Sequence, residues 1–251
     1  MKISYLILIF GLLLSAFACA DQKKNITFIL AEREYQTEQT LPEFARKHLS
    51  KEFILKFCHA PHQGQERNLL RNPSFIAKAD LLVISVRRRA FKEETMNLIR
   101  KHVSSVKPIV GIRTSSHAFD LKKSPIPEGH QVWNEWDKKI MGGNYNGHHG
   151  KSLICTVQKY PNLVSHPIIS GIKFPFETPA SLYRNSPLPQ KSIPLLSGKV
   201  KGFPAEPIAW THQTSFGGKV FYTSLGHIED FKKPAFQKLL LNAIKWSLRK
   251  K

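Results

Sequence analysis

The feature that most constrains the fold is a series of short apolar runs that alternate with helical patterns. The runs are rich in β-branched and large apolar side chains, which is typical of buried strands. They cover residues 25–30, 52–57, 79–85 and 107–112. Between the first two, residues 40–43 read Thr-Leu-Pro-Glu, a capping box with proline in the first turn. This motif predicts that a helix begins at Thr40.

A second helix is predicted between the third and fourth runs. Met96, Ile99, Val103 and Val106 recur at helical steps and form one apolar stripe on an otherwise charged segment. Strands that alternate with helices at this spacing form βαβ units, and these units build a parallel sheet covered by helices on both faces. In such a sheet, ligands bind beyond the carboxyl ends of the strands.

The second half of the chain is less regular. Residues 207–210 and 219–223 predict two strands of a hairpin, and a last helix is expected from about Pro234. Residues 113–206 carry many prolines and several glycines, which predicts irregular loops with short strands. Because no linker divides the chain, we expect one domain with long functional loops.

The first residues have the pattern of a secretory signal peptide. Lys2 precedes an apolar run over residues 5–14, and small residues lead to an Ala-x-Ala cleavage site at residues 18–20. The run is shorter than the roughly 20 apolar residues that span a membrane. We therefore predict that residues 1–20 are a signal peptide and residues 21–251 an exported domain, periplasmic or extracellular. A lipid anchor at Cys19 is the less favoured alternative.

Composition narrows the class of partner. The hydrophobic fraction of 41% is too high for a disordered chain, and 38 Lys and Arg against 18 Asp and Glu give a formal charge of +20. This charge favours attraction of anions such as acidic glycans. The predicted export and the lack of a zinc-finger or RNP-like motif argue against nucleic acid as a binding partner. Cys58 and Cys155 could either pair in an oxidising compartment or remain buried free thiols.

Polar clusters follow the predicted strands, where this architecture places ligands. Glu34 and Tyr35 follow the first strand and could either be solvated or contact a polar ligand. Arg87, Arg88 and Arg89 follow the third strand. Adjacent guanidiniums repel one another unless they meet carboxylates, phosphates or a hydroxyl-rich ligand. We expect at least one of the three to turn into the cleft.

The turn after the fourth strand carries Arg113, Ser116 and His117. A turn of this kind exposes the nucleophile in many α/β enzymes, but neither Gly-x-Ser-x-Gly nor Gly-x-Cys-x-Gly occurs here. Arg113 stands at the position where these motifs place the nucleophile. Acyl-enzyme chemistry is therefore not expected unless Ser115 or Ser116 acts as the nucleophile instead. His117 could merely pack or cap, yet a histidine beside an arginine at this edge is a candidate proton carrier.

A glycine-rich segment over residues 142–150 contains Asn144, His148 and His149, with tryptophans upstream. Amide, imidazole and aromatic groups on a bare, mobile loop are suited to holding a sugar. Neighbouring side chains point apart on an extended chain, so at most one of the two histidines is expected to face the cleft. His227 adds a histidine at another strand end.

The sequence predicts no cofactor. The histidines lack His-x-x-x-His or Cys-x-x-Cys spacing, so a divalent metal would bind only if the fold assembled its site. No glycine-rich phosphate loop for a nucleotide occurs.

Taken together, the motifs resemble the ThuA-like family, which is named for trehalose utilisation and is related to the class I glutamine amidotransferase fold. The stretches that carry the resemblance are residues 28–35, 40–44, 80–85, 108–113, 116–117, 142–145, 147–149, 166–168, 206–210 and 218–227. The resemblance implies a flavodoxin-like three-layer α/β sandwich with a mostly parallel central sheet, formed by residues 21–251. It also implies a role in carbohydrate metabolism, with trehalose or 3-keto-glycosides as the substrate class.

Where amidotransferases carry Gly-x-Cys-x-Gly, residues 111–115 read Gly-Ile-Arg-Thr-Ser. The nucleophilic thiol is missing, so glutaminase activity is not expected.

Three functions remain open at this stage. The leading one is acid/base chemistry on a sugar or keto-sugar, in which His117 or His227 moves a proton and Arg113 stabilises developing negative charge. The others are a non-catalytic sugar- or polyanion-binding module and a metal-assisted hydrolase. The expected partner is a small carbohydrate, and the sequence does not define the oligomeric state. The predicted ligand-binding residues are Glu34, Tyr35, Arg87, Ser116, Asn144, His148 and His149.

Overall fold

The computed structural model describes residues 22–150 and 153–249. The predicted signal peptide and Cys19 lie outside the described residues. Three α-helices are present in the described part: α1 Thr37–His48, α2 Glu93–Ser104 and α3 Pro234–Leu248. The strands are β1 Asn25–Ala31, β2 Ile54–His59, β3 Leu81–Val86, β4 Phe91–Lys92, β5 Ile109–Ile112, β6 His130–Gln131, β7 His148–His149, β8 Cys155–Lys159, β9 Phe176–Thr178, β10 Leu182–Tyr183, β11 Ile193–Lys199, β12 Glu206–Gln213 and β13 Lys219–Thr223.

Nine of these strands form one mixed sheet in the order β2-β1-β3-β5-β13-β12-β11-β8-β9. The first five strands in this order are parallel, as the alternation of apolar runs and helices predicts. The remaining four extend the sheet in antiparallel fashion. The predicted hairpin is confirmed, because β12 pairs with β13 in antiparallel register.

Helices cover both faces of the sheet and give it a hydrophobic core on each side. Phe44 of α1 and Leu240 of α3 belong to one core, and Met96 of α2 belongs to the other. This is the three-layer, flavodoxin-like sandwich that the family resemblance implies. Cys58 and Cys155 are both free and lie in opposite cores, so the sheet separates the two thiols.

Helix α1 begins at Thr37, three residues before the predicted start at Thr40. The physical reason is the Glu32 carboxylate, which accepts backbone N–H bonds from Glu34 at 2.7 Å and from Thr37 at 3.0 Å. The bond from Thr37 satisfies a donor that the helix start leaves open, and the bond from Glu34 fixes the turn before it. The capping group therefore comes from the end of β1 rather than from the capping box.

The predicted stripe of α2 also ends early. Met96, Ile99 and Val103 are buried, but Val106 lies beyond the end of the helix and is 52% exposed. Its φ of 61° is left-handed, and the chain enters β5 three residues later, at Ile109. Helix α3 begins at Pro234 as predicted. Among the described residues, no helix is long and apolar enough to cross a membrane.

Candidate functional site

The parallel strands β1, β3, β5 and β13 all point their carboxyl ends toward one edge of the sheet. Two adjoining hollows open at this edge. The central hollow, of about 350 Å³, is lined by Trp133, Asp137 and Asn144 among others. The tyrosine hollow, of about 200 Å³, is lined by Tyr35 and Tyr183 among others.

The two hollows share one wall, formed by Arg88, His117, Lys122 and Tyr145. His117 is 7% exposed, and its ring stacks on that of Tyr145 with a centroid distance of 4.4 Å. Its Nδ1 lies 3.0 Å from the Ser116 hydroxyl oxygen. No hydrogen bond within the described residues engages Nε2. This nitrogen is therefore available to a ligand.

The environment of His117 holds its imidazole in the neutral form. Burial lowers the pKa well below its ordinary value of 6.5, and the positive charges of Arg88, Arg87 and Arg113 lower it further. Because a charged imidazole is disfavoured by both effects, His117 is neutral at physiological pH. A neutral imidazole can accept a proton.

Arg113 occupies the strand-to-helix turn in a left-handed conformation with a φ of 51°. Its guanidinium carbon lies 4.4 Å from the ring centroids of both Tyr35 and Tyr183. Its Nη2 donates to the Tyr35 hydroxyl at 3.0 Å and to the Ser181 hydroxyl at 2.8 Å. The side chain is only 1% exposed, and among the described residues no carboxylate pairs with it. Its charge therefore acts on the tyrosine hollow through the two tyrosines that line it.

His227 lies behind Tyr35 rather than in the wall shared by the hollows. Its ring meets the Tyr35 ring edge-on, with centroids 5.9 Å apart. Its backbone N–H donates to the Asp230 carboxylate at 3.0 Å, and its Nδ1 accepts the N–H of Glu229 at 3.2 Å. Burial lowers the pKa of His227.

The two adjacent histidines of β7 have different surroundings. His148 is exposed and lines the tyrosine hollow, and its Nδ1 lies 2.8 Å from the carbonyl oxygen of Gly150. His149 lies 3.1 Å from the carboxylate of Glu206, away from both hollows. The register of β7 with β10 places His148 opposite Tyr183.

The remaining predicted residues lie at the same edge. Glu34 and Arg87 line the tyrosine hollow and form an ion pair of 2.8 Å with each other. Ser116 and Asn144 line the central hollow. Arg88 reaches the wall between the hollows, whereas Arg89 is buried elsewhere.

Asp137 is a residue of the central hollow to which the sequence analysis assigned no role. It lies in a wide helical turn, Trp136–Met141, and its Oδ2 accepts the backbone N–H of Tyr145 at 2.6 Å. Its Oδ1 is buried and has no hydrogen-bond partner among the described residues. Burial raises the pKa of Asp137 from 3.8 to about 7. The carboxyl can therefore gain or lose a proton near neutral pH.

The glycines next to Asp137 serve close packing. A Cβ on Gly143 would collide with Asp137 Oδ1, and one on Gly142 would collide with the ring of His212. Gly142 also has a left-handed φ of 67°. The adjacent glycines were the one sequence signal that could have pointed to Asp137.

No group of three or more His, Cys, Asp or Glu side chains in the described ranges is placed to hold a metal ion. The histidines at this edge instead contact tyrosines, hydroxyls and backbone groups.

The fold and the position of the hollows define a flavodoxin-like sandwich with its candidate site at the carboxyl edge of the parallel strands. A family model described as ThuA, trehalose utilisation, matches residues 29–247, and the chain therefore belongs to the ThuA family. At the level of the family, this membership supports a role in carbohydrate metabolism. No curated protein matches the chain.

Two solved structures share the fold. A ThuA-like protein from Bacteroides uniformis ATCC 8492 superposes with a TM-score of 0.65 at 15% identity, covering 89% of this chain and 91% of the other. A ThuA-like protein from Parabacteroides merdae ATCC 43184 gives a TM-score of 0.61 at 15% identity, covering 90% of each chain. At this level of identity the likeness concerns the fold alone.

Proposed function

We propose that the chain is an exported enzyme that performs acid/base chemistry on a sugar or keto-sugar, with trehalose or a 3-keto-glycoside as the substrate class. The reaction needs no cysteine nucleophile, because the position of the nucleophile is taken by Arg113. Export rests on the signal-peptide pattern of residues 1–20. The sugar class rests on the family.

The observation that carries the chemical part is a pair of titratable groups in the central hollow. Burial and neighbouring cations lower the pKa of His117, whereas burial raises the pKa of Asp137 to about 7. Groups whose pKa values are pushed apart in this way can serve as base and acid at the same pH. His117 is then neutral, and a large fraction of Asp137 is protonated at neutral pH.

In the proposed reaction on a keto-sugar, Nε2 of His117 accepts the proton from the carbon next to the carbonyl, and protonated Asp137 gives its proton to the carbonyl oxygen, which yields an enediol. His117 then returns its proton to the other carbon of the enediol while Asp137 takes the proton of the other hydroxyl, so that the carbonyl moves to the neighbouring carbon and both groups are restored. Positioned proton transfer of this kind typically contributes roughly 10² to 10⁴-fold in rate. Asn144, next to them in the central hollow, would bind hydroxyl groups.

Arg113 has a positioning role in this scheme. Because its Nη2 donates to the Tyr35 hydroxyl, the Tyr35 O–H becomes a stronger donor toward negative charge in the tyrosine hollow. Arg113 thus stabilises negative charge on the part of the substrate that reaches the tyrosine hollow, through Tyr35 rather than by direct contact. His227, which packs on the same ring, would orient Tyr35.

Replacement of His117 by glutamine tests the proposal. Glutamine keeps a polar group next to Ser116 but cannot take up a proton, so turnover of 3-keto-glucosides should be lost while the circular dichroism spectrum and melting temperature are retained. His130→Gln is the matched control, because His130 lies outside both hollows and its ring contacts a backbone carbonyl. If turnover by the His117 variant equals that of the control, His117 takes no part in the mechanism.

The second candidate is a non-catalytic module that binds an acidic glycan. The net charge of +20 favours it. Because salt screens exposed charges, binding of a polyanion should collapse between low and high ionic strength. Salt-insensitive binding of a neutral sugar, together with turnover, would reject this alternative in favour of the enzyme.

A further inference from the structure

A third hollow, which no predicted reaction uses, lies beside the tyrosine hollow. This arginine hollow has a volume of about 270 Å³, and its charged lining residues are Glu32, Arg33, Arg67, Arg87 and Arg89. Four positive charges against one negative charge give a net lining charge of +3. Like charges at close quarters are costly unless an anion compensates them.

The single carboxylate of the hollow is already engaged. Glu32 is 1% exposed, and its two oxygens accept the backbone N–H groups of Glu34, Tyr35 and Thr37. The Thr37 hydroxyl also donates to it at 2.8 Å. No ion pair joins Glu32 to a guanidinium among the described residues. Glu32 therefore caps α1 and forms no ion pair with the arginines; of these arginines, only Arg87 has a carboxylate partner among the described residues, which is Glu34.

Arg89 shows how strongly positive this region is. Its side chain is 1% exposed, and its donors reach the backbone carbonyls of Ala31 at 3.0 Å and of Arg67 at 2.5 Å rather than a carboxylate. Burial, together with the charges of Arg67 and Arg33, lowers the pKa of Arg89 to about 10. A positive charge held here makes an added anion favourable.

Arg87 connects the arginine hollow with the tyrosine hollow, because it lines both. One end of its guanidinium pairs with Glu34 at 2.8 Å. Its Nε–H is buried and has no acceptor within the described residues. A buried donor without a partner is energetically costly, and a bound acceptor atom would remove this cost.

We propose that the arginine hollow binds a tetrahedral dianion, a phosphate or sulfate group. Guanidinium groups match the oxygens of such a group with paired N–H donors, and a double negative charge offsets most of the net +3. The volume of the hollow exceeds that of a single such group. The dianion is either a free ion or an ester on a sugar whose ring enters the tyrosine hollow past Arg87.

Isothermal titration calorimetry of the whole protein with inorganic phosphate and with inorganic sulfate tests the site. Ionic strength is held constant with sodium chloride, so that a general charge effect cancels. Two variants remove one guanidinium each, Arg33→Gln and Arg67→Gln. The side chain of Arg33 is exposed and holds no hydrogen bond or ion pair in the described part of the chain, so its removal leaves the fold intact.

Arg249→Gln is the matched control, because Arg249 is an exposed arginine at the opposite edge of the sheet. We expect saturable binding of one dianion per chain. Loss of one charge-assisted hydrogen bond should weaken it by about tenfold or more in the Arg33 and Arg67 variants. The control should change it by less than about twofold.

The proposal is overturned if neither anion binds saturably above the chloride background, or if the control weakens binding as much as the two variants. Glucose 6-phosphate separates the two sources of the dianion. Tighter binding of the ester than of inorganic phosphate supports a sugar in the tyrosine hollow, and equal affinity supports a free ion at the same site. Because binding is measured without turnover, failure of the proposed sugar chemistry would leave these results unaffected.

Discussion

The protonation of Asp137 makes a quantitative prediction about stability. A carboxyl that titrates near 7 in the native protein and at 3.8 in the unfolded chain binds more protons when folded. Its contribution to stability is therefore fully present below pH 3.8 and is lost as the pH rises to about 7. With about 1.36 kcal/mol per pKa unit, the free energy of unfolding should fall by roughly 2–3 kcal/mol between pH 5 and pH 8 through this group alone.

Asp137→Asn isolates this contribution. Asparagine has the shape of the protonated carboxyl, and its side-chain oxygen can still accept the N–H of Tyr145, but it does not titrate. The free energy of unfolding of the variant, relative to that of the wild type, should therefore rise by roughly 2–3 kcal/mol from pH 5 to pH 8. This change corresponds to a relative shift on the order of 1 M in the midpoint of urea unfolding. Urea unfolding of both proteins at the two pH values measures the change, and contributions of other titrating groups cancel in the difference.

Glu128→Gln provides the control, because Glu128 is exposed and its carboxylate makes no ion pair among the described residues. Its stability difference from the wild type should stay nearly constant over the same pH range. If the Asp137 variant behaves like this control, Asp137 is an ordinary ionised carboxylate in the native protein and its raised pKa is refuted. In activity measurements, Asp137→Asn should also remove the decline of kcat/KM above about pH 7 that ionisation of the acid would cause.

Two further predictions concern packing. Gly142→Ala should destabilise the protein by several kcal/mol more than Gly64→Ala in urea unfolding, because both sites have a positive φ but only the Cβ at residue 142 collides with His212; equal losses would reject the steric argument. Cys58 and Cys155 lie in opposite cores, so a chain beginning at Asp21 should titrate two thiols with Ellman's reagent when unfolded without reductant, and almost none while native; a thiol count of zero after unfolding would contradict the structure.

The sequence alone determines the general architecture. Apolar runs of strand length cannot remain in water, and their alternation with amphipathic segments leaves a helix-covered parallel sheet as the solution. The same pattern places Tyr35, Arg87 and His117 at one edge, because each follows the carboxyl end of a parallel strand. Local order along the chain is sufficient for these conclusions.

The states of the site residues depend on contacts between distant segments. Arg113 stands in the nucleophile position by sequence, but only the tertiary structure brings Tyr35 and Tyr183 against its guanidinium. Asp137 becomes a candidate acid because Tyr145 and Gly143 close over it. Burial decides the protonation of Asp137, and contacts with the two tyrosines surround the charge of Arg113; neither burial nor such contacts are encoded in local spacing.

The arginine hollow also forms only through tertiary contacts between distant segments. Its guanidiniums come from three loops, and their proximity follows from the packing of the turns after β1 and β3 against the segment around Arg67. The sequence shows three adjacent arginines, but it does not show that Glu32, the carboxylate that lines this hollow, is engaged in capping α1. Only the tertiary structure shows that Arg87 pairs with Glu34 while the other guanidiniums of the hollow meet no carboxylate among the described residues, because hydrogen-bond partners and distances are set when the segments come together.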